Sequence, residues 1–359
     1  MDNAPLKIIA DDPWLEPFQD AIQGRHLDVM RKLHDLTQHG SLVDFANAYN
    51  YFGLHKRKGG GFVFREYAPN ASSVTLIGDF SKWQEDPRFR CSNIGDGVWE
   101  LIIPKGRIHN GDFYKMLVTW PGGQGERIPA YATRVVQDPE THIFAAQVEN
   151  PARPYRFRIR NFKPKRDPLL IYECHIGMAT EEERVGTYAE FTDNVLPRIA
   201  ADGYNAIQIM AIQEHPYYGS FGYHVSSFYA PSSRFGTADD LKRLIDTAHK
   251  LGIAVIMDIV HSHAVKNEAE GLAKIDGNPN LYFYPGDRHE HPAWDSLLFD
   301  YGKDYVLNFL LSNCKYWLEE FHFDGFRFDG VTSMLYLDHG LGKAFSSYAD
   351  YYDGNQDTN

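Results

Sequence analysis

An unbroken apolar run that ends in an acid is the feature that most constrains the fold of this chain. Residues 253–257 are all apolar, Asp258 follows them directly, and His261 and His263 come next. An apolar run without polar alternation is typical of a strand that is covered on both faces, as in a parallel sheet. In α/β barrels, polar residues at the carboxyl ends of such strands build the active site. The run therefore predicts a parallel α/β architecture with functional side chains at Asp258 and His263.

A second acid follows another predicted strand further along the chain. Residues 323–328 are predicted to form a short buried strand, and Asp329 comes directly after it. Because side chains alternate along a strand, Arg327 and Asp329 point to the same side. A neighbouring guanidinium keeps a carboxylate ionised and oriented, which is the state that a glycosidic nucleophile needs. Taken alone, these residues fit a structural ion pair equally well.

Strand and helix patterns alternate from about residue 168. The four predicted strands cover residues 169–176, residues 206–211 and the two runs that end at Asp258 and Asp329. Between the second and third strands, Thr237 is the predicted N-cap of a helix that ends at Gly252. Alternating units of this kind imply a parallel sheet with right-handed crossovers. Because a closed barrel needs eight units, residues 169–359 are predicted to form the first half of a TIM (β/α)8 catalytic barrel.

The part of the chain before the barrel is predicted to contain helices and then a β-sandwich. Residues 1–57 form the helical segment, since leucine and methionine recur there at helical spacing. Residues 58–150 carry short apolar strands that are separated by turn residues, which is typical of a β-sandwich. The predicted strands are residues 62–67, 73–78, 98–103 and 113–118. The proline-rich residues 151–168 are predicted to link the sandwich to the barrel.

Composition limits the partners and the location of the protein. The formal net charge is −12, from 36 basic and 48 acidic residues, whereas surfaces that bind nucleic acid are basic. The sequence has no apolar run of ~18 residues and no secretory pattern in its first residues, so we expect no membrane partner and a cytoplasmic location.

Cys91, Cys174 and Cys314 form no CxxC pair and are expected to be reduced and buried. No cluster has metal-ligand spacing, so we expect no metal.

Several longer motifs resemble one known family. Residues 258–263 and 325–330 resemble two signature regions of the α-amylase superfamily, glycoside hydrolase family 13. Within it, the chain is similar to the eukaryotic-type 1,4-α-glucan (glycogen) branching enzymes from about residue 10 to its C-terminus. The segments that add to this match are residues 211–223, 232–237 and 331–336. Residues 78–83 resemble the family 48 carbohydrate-binding module that precedes the barrel in these enzymes.

The resemblance implies a role for each main candidate residue. Asp329 would be the nucleophile, and Arg327 would orient it. Asp258 would form hydrogen bonds with sugar hydroxyls and with Arg327. His263 would donate a hydrogen bond to a sugar hydroxyl, and Tyr223 would stack under the sugar ring. Two carboxyl groups that lie close together are the requirement for cleaving a glycosidic link with retention.

Further substrate-binding candidates are weaker or have a structural alternative. His224 stands where the family commonly has Gln, which can alter its contact with the sugar. Trp83 can either stack on glucose or pack against the barrel. The remaining candidates on the same loop as Tyr223 are Glu214, His215 and Tyr218. His261 is expected to support the site from behind.

The implied reaction cleaves α-1,4 links through a glycosyl-enzyme intermediate and transfers the chain to a 6-hydroxyl of an α-glucan, with no cofactor. The family's general-acid Glu and its later His-Asp signature follow the fourth strand and are not in this sequence. The resemblance therefore predicts an N-terminal fragment that is inactive alone. The alternatives are a debranching or hydrolytic relative in the same superfamily and a non-catalytic glucan-binding protein.

Overall fold

The computed structural model describes residues 6–38, 40–164 and 168–358. Parts of the predicted helical segment and of the predicted linker, namely residues 1–5, 39 and 165–167, lie outside the described residues. The first helices are α1 Lys7–Asp11, α2 Gln19–Thr37 and α3 Leu42–Phe45. The helical spacing of leucine and methionine lies within α2, as predicted. No residue of α2 is buried, and Leu27 and Met30 are exposed.

Two antiparallel sheets form a sandwich in the next part of the chain. Its strands are β1 Gly53–Lys56, β2 Phe62–Tyr67, β3 Ser73–Gly78, β4 Ser92–Gly95, β5 Val98–Ile103, β6 Phe113–Trp120, β7 Gly123–Arg127, β8 Val135–Gln137 and β9 Phe144–Gln147. One sheet has the order β1-β2-β5-β4, and the other has the order β3-β6-β9-β8 with β7 paired to β6. Buried and half-buried residues alternate along β2, which places its phenylalanines in the core. The four predicted strands are confirmed.

A four-stranded parallel sheet follows the sandwich. The remaining strands are β10 Ile171–Cys174, β11 Ala206–Ile209, β12 Gln213–Glu214, β13 Ser227–Pro231, β14 Ala254–Ile259 and β15 Gly325–Phe328. The parallel sheet has the order β10-β11-β14-β15, and β12 pairs with β13 in a separate ribbon. This order of parallel strands is the start of the predicted barrel, which is not closed among the described residues.

Helices alternate with the parallel strands, and the last of them follows β15. They are α4 Tyr188–Glu190, α5 Leu196–Ala201, α6 Ala238–Lys250, α7 Asp304–Phe321 and α8 Val331–Leu335. The π-helical segment Phe191–Val195 joins α4 to α5. The predicted cap of α6 is confirmed, because the Thr237 side chain accepts from the Asp240 backbone and the Asp240 side chain accepts in return. Gly252 follows this helix with φ +79°, a conformation that favours glycine at a helix end.

Short 3-10 helices complete the described secondary structure. They are Pro13–Phe18, Ala48–Asn50, Asp79–Ser81, Pro87–Phe89, Ile176–Met178, Tyr218–Ser220, Ser233–Phe235, Gly286–Arg288 and Tyr348–Tyr351. The predicted domain boundaries at residues 57, 150 and 168 remain predictions.

The prediction of a buried strand at residues 323–328 is wrong in its burial. The strand β15 begins at Gly325, and both Arg327 and Phe328 are exposed. Among the described residues, β15 pairs with β14 on one side, and its other edge is open. The opposite edge strand β10 is exposed for the same reason, since Ile171 and Tyr172 lie at the surface. An apolar sequence pattern indicates a buried strand only where a neighbour covers it.

Direct contacts join the sandwich to the connection that follows β14 and to β13. The backbone N–H of Asn70 donates to Asp276 at 2.9 Å, and Arg127 Nε donates to the carbonyl of Lys274 at 2.7 Å. The rings of Tyr131 and Tyr229 lie 4.9 Å apart between centroids. The buried apolar side chains of both parts form one continuous core, so that the sandwich is held in a fixed position beside the sheet.

One buried acid lies in this shared core. Glu66 is fully buried, and it accepts hydrogen bonds from the backbone N–H groups of Tyr67 and Ala130. Burial raises its pKa to about 8, and the nearby negative charge of Asp276 acts in the same direction. The carboxyl group of Glu66 is therefore protonated in the folded protein at neutral pH.

Replacing Glu66 by Gln removes a pH dependence of folding. In the unfolded chain the carboxyl ionises near pH 4.5, whereas the folded protein keeps its proton until about pH 8. The stability of the native protein therefore falls as pH rises through this window. We expect the stability advantage of Glu66→Gln over the native protein to grow by about 2 to 4 kcal/mol between pH 5 and pH 8. Urea unfolding at several pH values measures it.

The exposed Glu183 supplies the control for this experiment. Glu183→Gln is expected to leave the stability–pH curve parallel to that of the native protein. Parallel curves for Glu66→Gln as well would show that Glu66 ionises at the same pH in both states.

Candidate active site

A single guanidinium nitrogen joins the ends of two neighbouring strands. Asp258 in β14 stands opposite Arg327 in the register with β15, and Asp329 follows β15 directly. Arg327 Nη1 lies 3.0 Å from each Asp258 carboxylate oxygen and 2.7 Å from Asp329 Oδ1. The two strand-end acids that the sequence singled out therefore meet at one cation.

The two carboxylates differ in how accessible they are. Asp258 is fully buried, and its Oδ2 also accepts a hydrogen bond from the Tyr223 hydroxyl at 2.8 Å. Asp329 keeps 21% of its side chain exposed, and among the described residues its Oδ2 accepts no hydrogen bond. Asp258 is thus a fixed anchor whose oxygens are occupied, whereas Asp329 can be reached by a substrate.

Burial shifts the pKa values of Asp258 and Arg327 in one direction, and their hydrogen bonds and charges shift them in the other. Burial raises the pKa of Asp258, and the hydrogen bonds from Arg327 and Tyr223 counteract only part of that rise. Burial also lowers the pKa of Arg327, but the charges and hydrogen bonds of Asp258 and Asp329 outweigh it and raise the pKa overall. Arg327 therefore remains a cation beside the Asp329 carboxylate.

His263 does not have the free donor that its predicted role requires. It is 3% exposed, and its Nε2 lies 2.8 Å from the carbonyl of Tyr223. Because a carbonyl can only accept, Nε2 must carry the proton, and Nδ1 accepts from the Ser262 hydroxyl at 2.9 Å. Burial lowers the pKa of His263 to about 4, which keeps the ring neutral. His263 could donate to a sugar hydroxyl only if its Nε2 hydrogen left the Tyr223 carbonyl or divided its hydrogen bond between the carbonyl and the sugar.

The other substrate-binding candidates fall into two places. Tyr223 is half-buried beside Asp258, and burial together with the charge of Asp258 raises its pKa. His224 is also half-buried, with its ring centroid 6.2 Å from that of His263. Trp83 lies apart from them in the sandwich, where its Nε1 donates to Asp79 at 3.0 Å. The structure therefore brings six of the predicted site residues together and leaves Trp83 outside that group.

Trp83 is at the mouth of a cavity in the sandwich. The indole is 37% exposed and lines a cavity of about 590 Å³, with Lys115, Glu126 and Ile143 among the other lining residues. All of the lining residues belong to the sandwich, between positions 79 and 145. The alternative in which Trp83 packs against the barrel is therefore not seen in this structure.

Two of the weaker candidates are structural. Glu214 and His215 are fully buried, so that a glucan cannot touch them. Glu214 accepts hydrogen bonds from Ser232 at 3.0 Å and Ser233 at 2.7 and 2.8 Å, which explains why a carboxylate is tolerated there. His261 is 3% exposed and its Nε2 lies 3.0 Å from Asn313 Oδ1, while its supporting role stays a prediction. Tyr218 is half-buried.

Sequence reasoning missed the residues that surround the Asp329 backbone. Gly330 has φ +63°, and a Cβ atom built on it would lie 2.6 Å from Ser262 Oγ and 3.0 Å from Trp294 Cη2. The indole of Trp294 in turn stacks on His291 at 3.8 Å. Trp294 and His291 belong to a long connection without helical or strand periodicity, so only the Asp-Gly pair after β15 signalled a tight turn here.

The described residues hold no cluster of three or more His, Cys, Asp or Glu side chains with the arrangement of a metal site. Over the same residues, no helix has both the length and the apolar character needed to cross a membrane.

Models of two protein families match this chain. Residues 51–139, which hold β1 to β8, match carbohydrate-binding module 48 (isoamylase N-terminal domain). Residues 179–293, which hold β14 and Asp258, match the α-amylase catalytic domain. The chain thus contains a region similar to the α-amylase catalytic domain, preceded by a region similar to this carbohydrate-binding module. The match of its first module explains why a sandwich with an exposed tryptophan precedes the parallel sheet.

Curated relatives match this chain over nearly its whole length. It is 47% identical over 356 residues to the 1,4-α-glucan-branching enzyme of Yarrowia lipolytica, covering 97% of this chain and 51% of that protein. It is 44% identical over 359 residues to the enzyme of the same name from Dictyostelium discoideum, covering 98% and 52%. By sequence the chain groups with the branching enzymes, and it spans about half the length of the curated relatives it matches.

Solved structures share the fold. The pullulanase from Bacillus acidopullulyticus has a TM-score of 0.68 at 21% identity, over 80% of this chain and 39% of that chain. The pullulanase SAP, solved in complex with maltotetraose, has a TM-score of 0.64 at 21% identity, over 83% of this chain and 45% of that chain. At this level of identity the likeness concerns the fold alone.

The close packing at Gly330 generates a stability prediction. Gly330→Ala places a side chain in a left-handed conformation and forces it against Ser262 and Trp294. The first effect costs about 1–2 kcal/mol and the overpacking adds about 1–3 kcal/mol. Gly203→Ala is the matched control, because Gly203 has φ +89° but no atom within 4 Å of an added Cβ. Urea unfolding should show the larger loss for Gly330→Ala, and equal losses would contradict the packing described here.

Proposed function

We propose that this chain supplies the nucleophile of a 1,4-α-glucan-branching enzyme. The observation that carries the proposal is the Arg327 guanidinium shared between Asp258 and Asp329, in a chain 47% identical to a curated branching enzyme. An ionised carboxylate that is oriented by a cation and open to solvent on one side is suited to attack an anomeric carbon.

The proposed reaction has two displacements. An Asp329 oxygen bonds to the anomeric carbon C1 while the C1–O4 link breaks, and a general acid gives its proton to O4. The 6-hydroxyl oxygen of a second glucan then bonds to C1, its proton passes to the same acid, and the bond to Asp329 breaks. Two inversions give overall retention at C1. Tyr223 and His224 line the place where the sugar would sit.

The general acid must come from another residue than Asp258. Both Asp258 oxygens accept hydrogen bonds, and the side chain is fully buried, so it cannot reach a leaving oxygen. We propose that the acid lies in sequence that corresponds to the second half of the curated relatives. On this proposal, a protein consisting of these 359 residues binds glucan but does not branch it.

The proposal also covers the substrate of the enzyme and its location in the cell. We propose glycogen-like α-glucan as substrate and product, with the sandwich as a second glucan-binding surface around Trp83. The three cysteines form no disulfide, which fits a reducing compartment such as the cytoplasm. The proposal requires no metal, no cofactor, no nucleic acid and no membrane partner.

Loss of the nucleophile should abolish branching. In the longest protein that the gene encodes, Asp329→Asn is expected to reduce branching of amylose on the order of 10³-fold or more. Falling iodine colour without new reducing ends measures branching, whereas rising reducing ends would identify a hydrolytic relative. Asp287→Asn, at an exposed acid, is the control and should retain activity. Normal branching by Asp329→Asn would refute the assignment.

The sandwich should bind glucan on its own surface. Trp83→Ala is expected to weaken co-sedimentation of the chain with glycogen about tenfold, because the exposed indole supplies an apolar platform. Trp14→Ala is the matched control, since Trp14 is 79% exposed and lies outside the cavity. Binding without branching in the longest gene product would favour the non-catalytic alternative. Unchanged co-sedimentation of Trp83→Ala would remove Trp83 from the substrate-binding residues.

A further inference from the structure

Trp294 is an aromatic side chain at the candidate active site to which no role has yet been assigned. Its ring centroid lies 5.1 Å from that of His263, whose Nε2 donates to the carbonyl of Tyr223. Its Cη2 lies 3.0 Å from the position of a Cβ atom on Gly330, the residue after Asp329. The Trp294 ring therefore lies beside His263 and beside the residue that follows the candidate nucleophile.

The indole is fixed from one side. The His291 ring stacks on it with a centroid distance of 3.8 Å and an interplanar angle of 7°. His291 is itself 3% exposed, whereas Trp294 is only half-buried. One face of the indole is thus covered by the imidazole, and the remaining exposed surface of Trp294 is held in a fixed orientation.

The His291 ring is built into a tight loop. Its Nδ1 accepts from the backbone N–H of Ala293 at 3.1 Å, and its own backbone N–H donates to the Ser296 carbonyl at 2.8 Å. Nε2 therefore carries the ring proton, and among the described residues this buried donor has no partner. These hydrogen bonds fix the loop and the ring of His291 against the indole.

His291 is neutral, which suits a stacking role. Burial lowers its pKa to about 4, and the neighbouring His339 and His263 act in the same direction. The His339 ring lies 4.6 Å from the His291 ring, and its Nδ1 lies 3.0 Å from the Ser333 hydroxyl in α8. The helix that follows the candidate nucleophile therefore supports the loop that presents Trp294.

We propose that the indole of Trp294 is the platform for a second glucosyl residue of the α-glucan, next to the residue that reacts at Asp329. The C–H face of a pyranose packs well on a flat apolar ring, and a chain of several sugars needs more than the single platform that Tyr223 offers. His291 is a positioning residue that acts through the indole. This inference rests on the proposed function, since it assigns a subsite in the same cleft.

The direct test is binding of maltoheptaose to the 359-residue chain in a Trp83→Ala background, which removes the sandwich platform. Isothermal titration calorimetry is expected to show about tenfold weaker binding for Trp294→Leu, and at most about threefold weaker binding for Trp294→Phe, which keeps an aromatic face. Trp14→Leu in the same background is the control and should leave the affinity unchanged. Circular dichroism and the melting temperature confirm that each variant is folded.

The positioning role of His291 has its own readout. His291→Ala removes the stack and is expected to weaken maltoheptaose binding to the same extent as Trp294→Leu. His291→Phe restores a ring against the indole and should recover most of the affinity, even though it loses the hydrogen bond to Ala293. A merely structural role would be disturbed by both substitutions, so equal losses in the two variants would overturn the assignment of His291.

The outcomes separate this inference from the proposed function. Unchanged affinity in Trp294→Leu, or no binding at all in the Trp83→Ala background, would overturn the Trp294 subsite. The proposed function is tested independently by branching of amylose with the longest gene product. Branching activity together with unchanged affinity in Trp294→Leu would leave the function standing and remove the subsite.

Discussion

The bridge from Arg327 to Asp258 and Asp329 is the interaction on which the candidate site depends. Asp258 is fully buried, and removing the partner of a buried charge costs about 3–5 kcal/mol. The register between β14 and β15 places Asp258 opposite Arg327, so the parallel sheet itself brings the cation to the buried acid. Once Arg327 is held in this way, its Nη1 also fixes the exposed Asp329. An ion pair with one buried partner, Asp258, thus sets the position of an accessible carboxylate.

The regular elements of this fold were predictable because their patterns are local. Strands β2, β3 and β5 have the predicted bounds, since their apolar residues and flanking turns define a strand without reference to the rest of the chain. Burial was less predictable. The residues of β15 have the composition of a covered strand, yet Arg327 and Phe328 are exposed, because coverage depends on a neighbouring element that a local pattern does not reveal.

The candidate site was predictable only where it lies at strand ends. Asp258 and Asp329 follow apolar runs, and parallel pairing brings such positions together. Trp294 and His291 come from the connection between β14 and α7, which has no periodicity. Their stacking and the approach of Trp294 to Gly330 are properties of the folded loop. Glu214 and His215 were candidates for glucan contact because they lie in a motif. Both side chains are buried by tertiary contacts, which a local sequence pattern does not reveal.

On the proposed function, transfer and hydrolysis would use the same nucleophile, so Asp329 and Arg327 do not by themselves decide between water and a sugar hydroxyl as acceptor. The difference must come from surfaces that hold a second glucan close to the intermediate and keep it there while water competes. A rigid apolar surface beside Asp329 serves this purpose better than a mobile one, because less conformational freedom is lost when the sugar binds. The neutral, buried His291 stacked on Trp294 holds such a surface in a fixed orientation. On the proposed function, the reacting carboxylate and the ring that supports the neighbouring glucosyl residue thus come together at Gly330, the residue that follows Asp329.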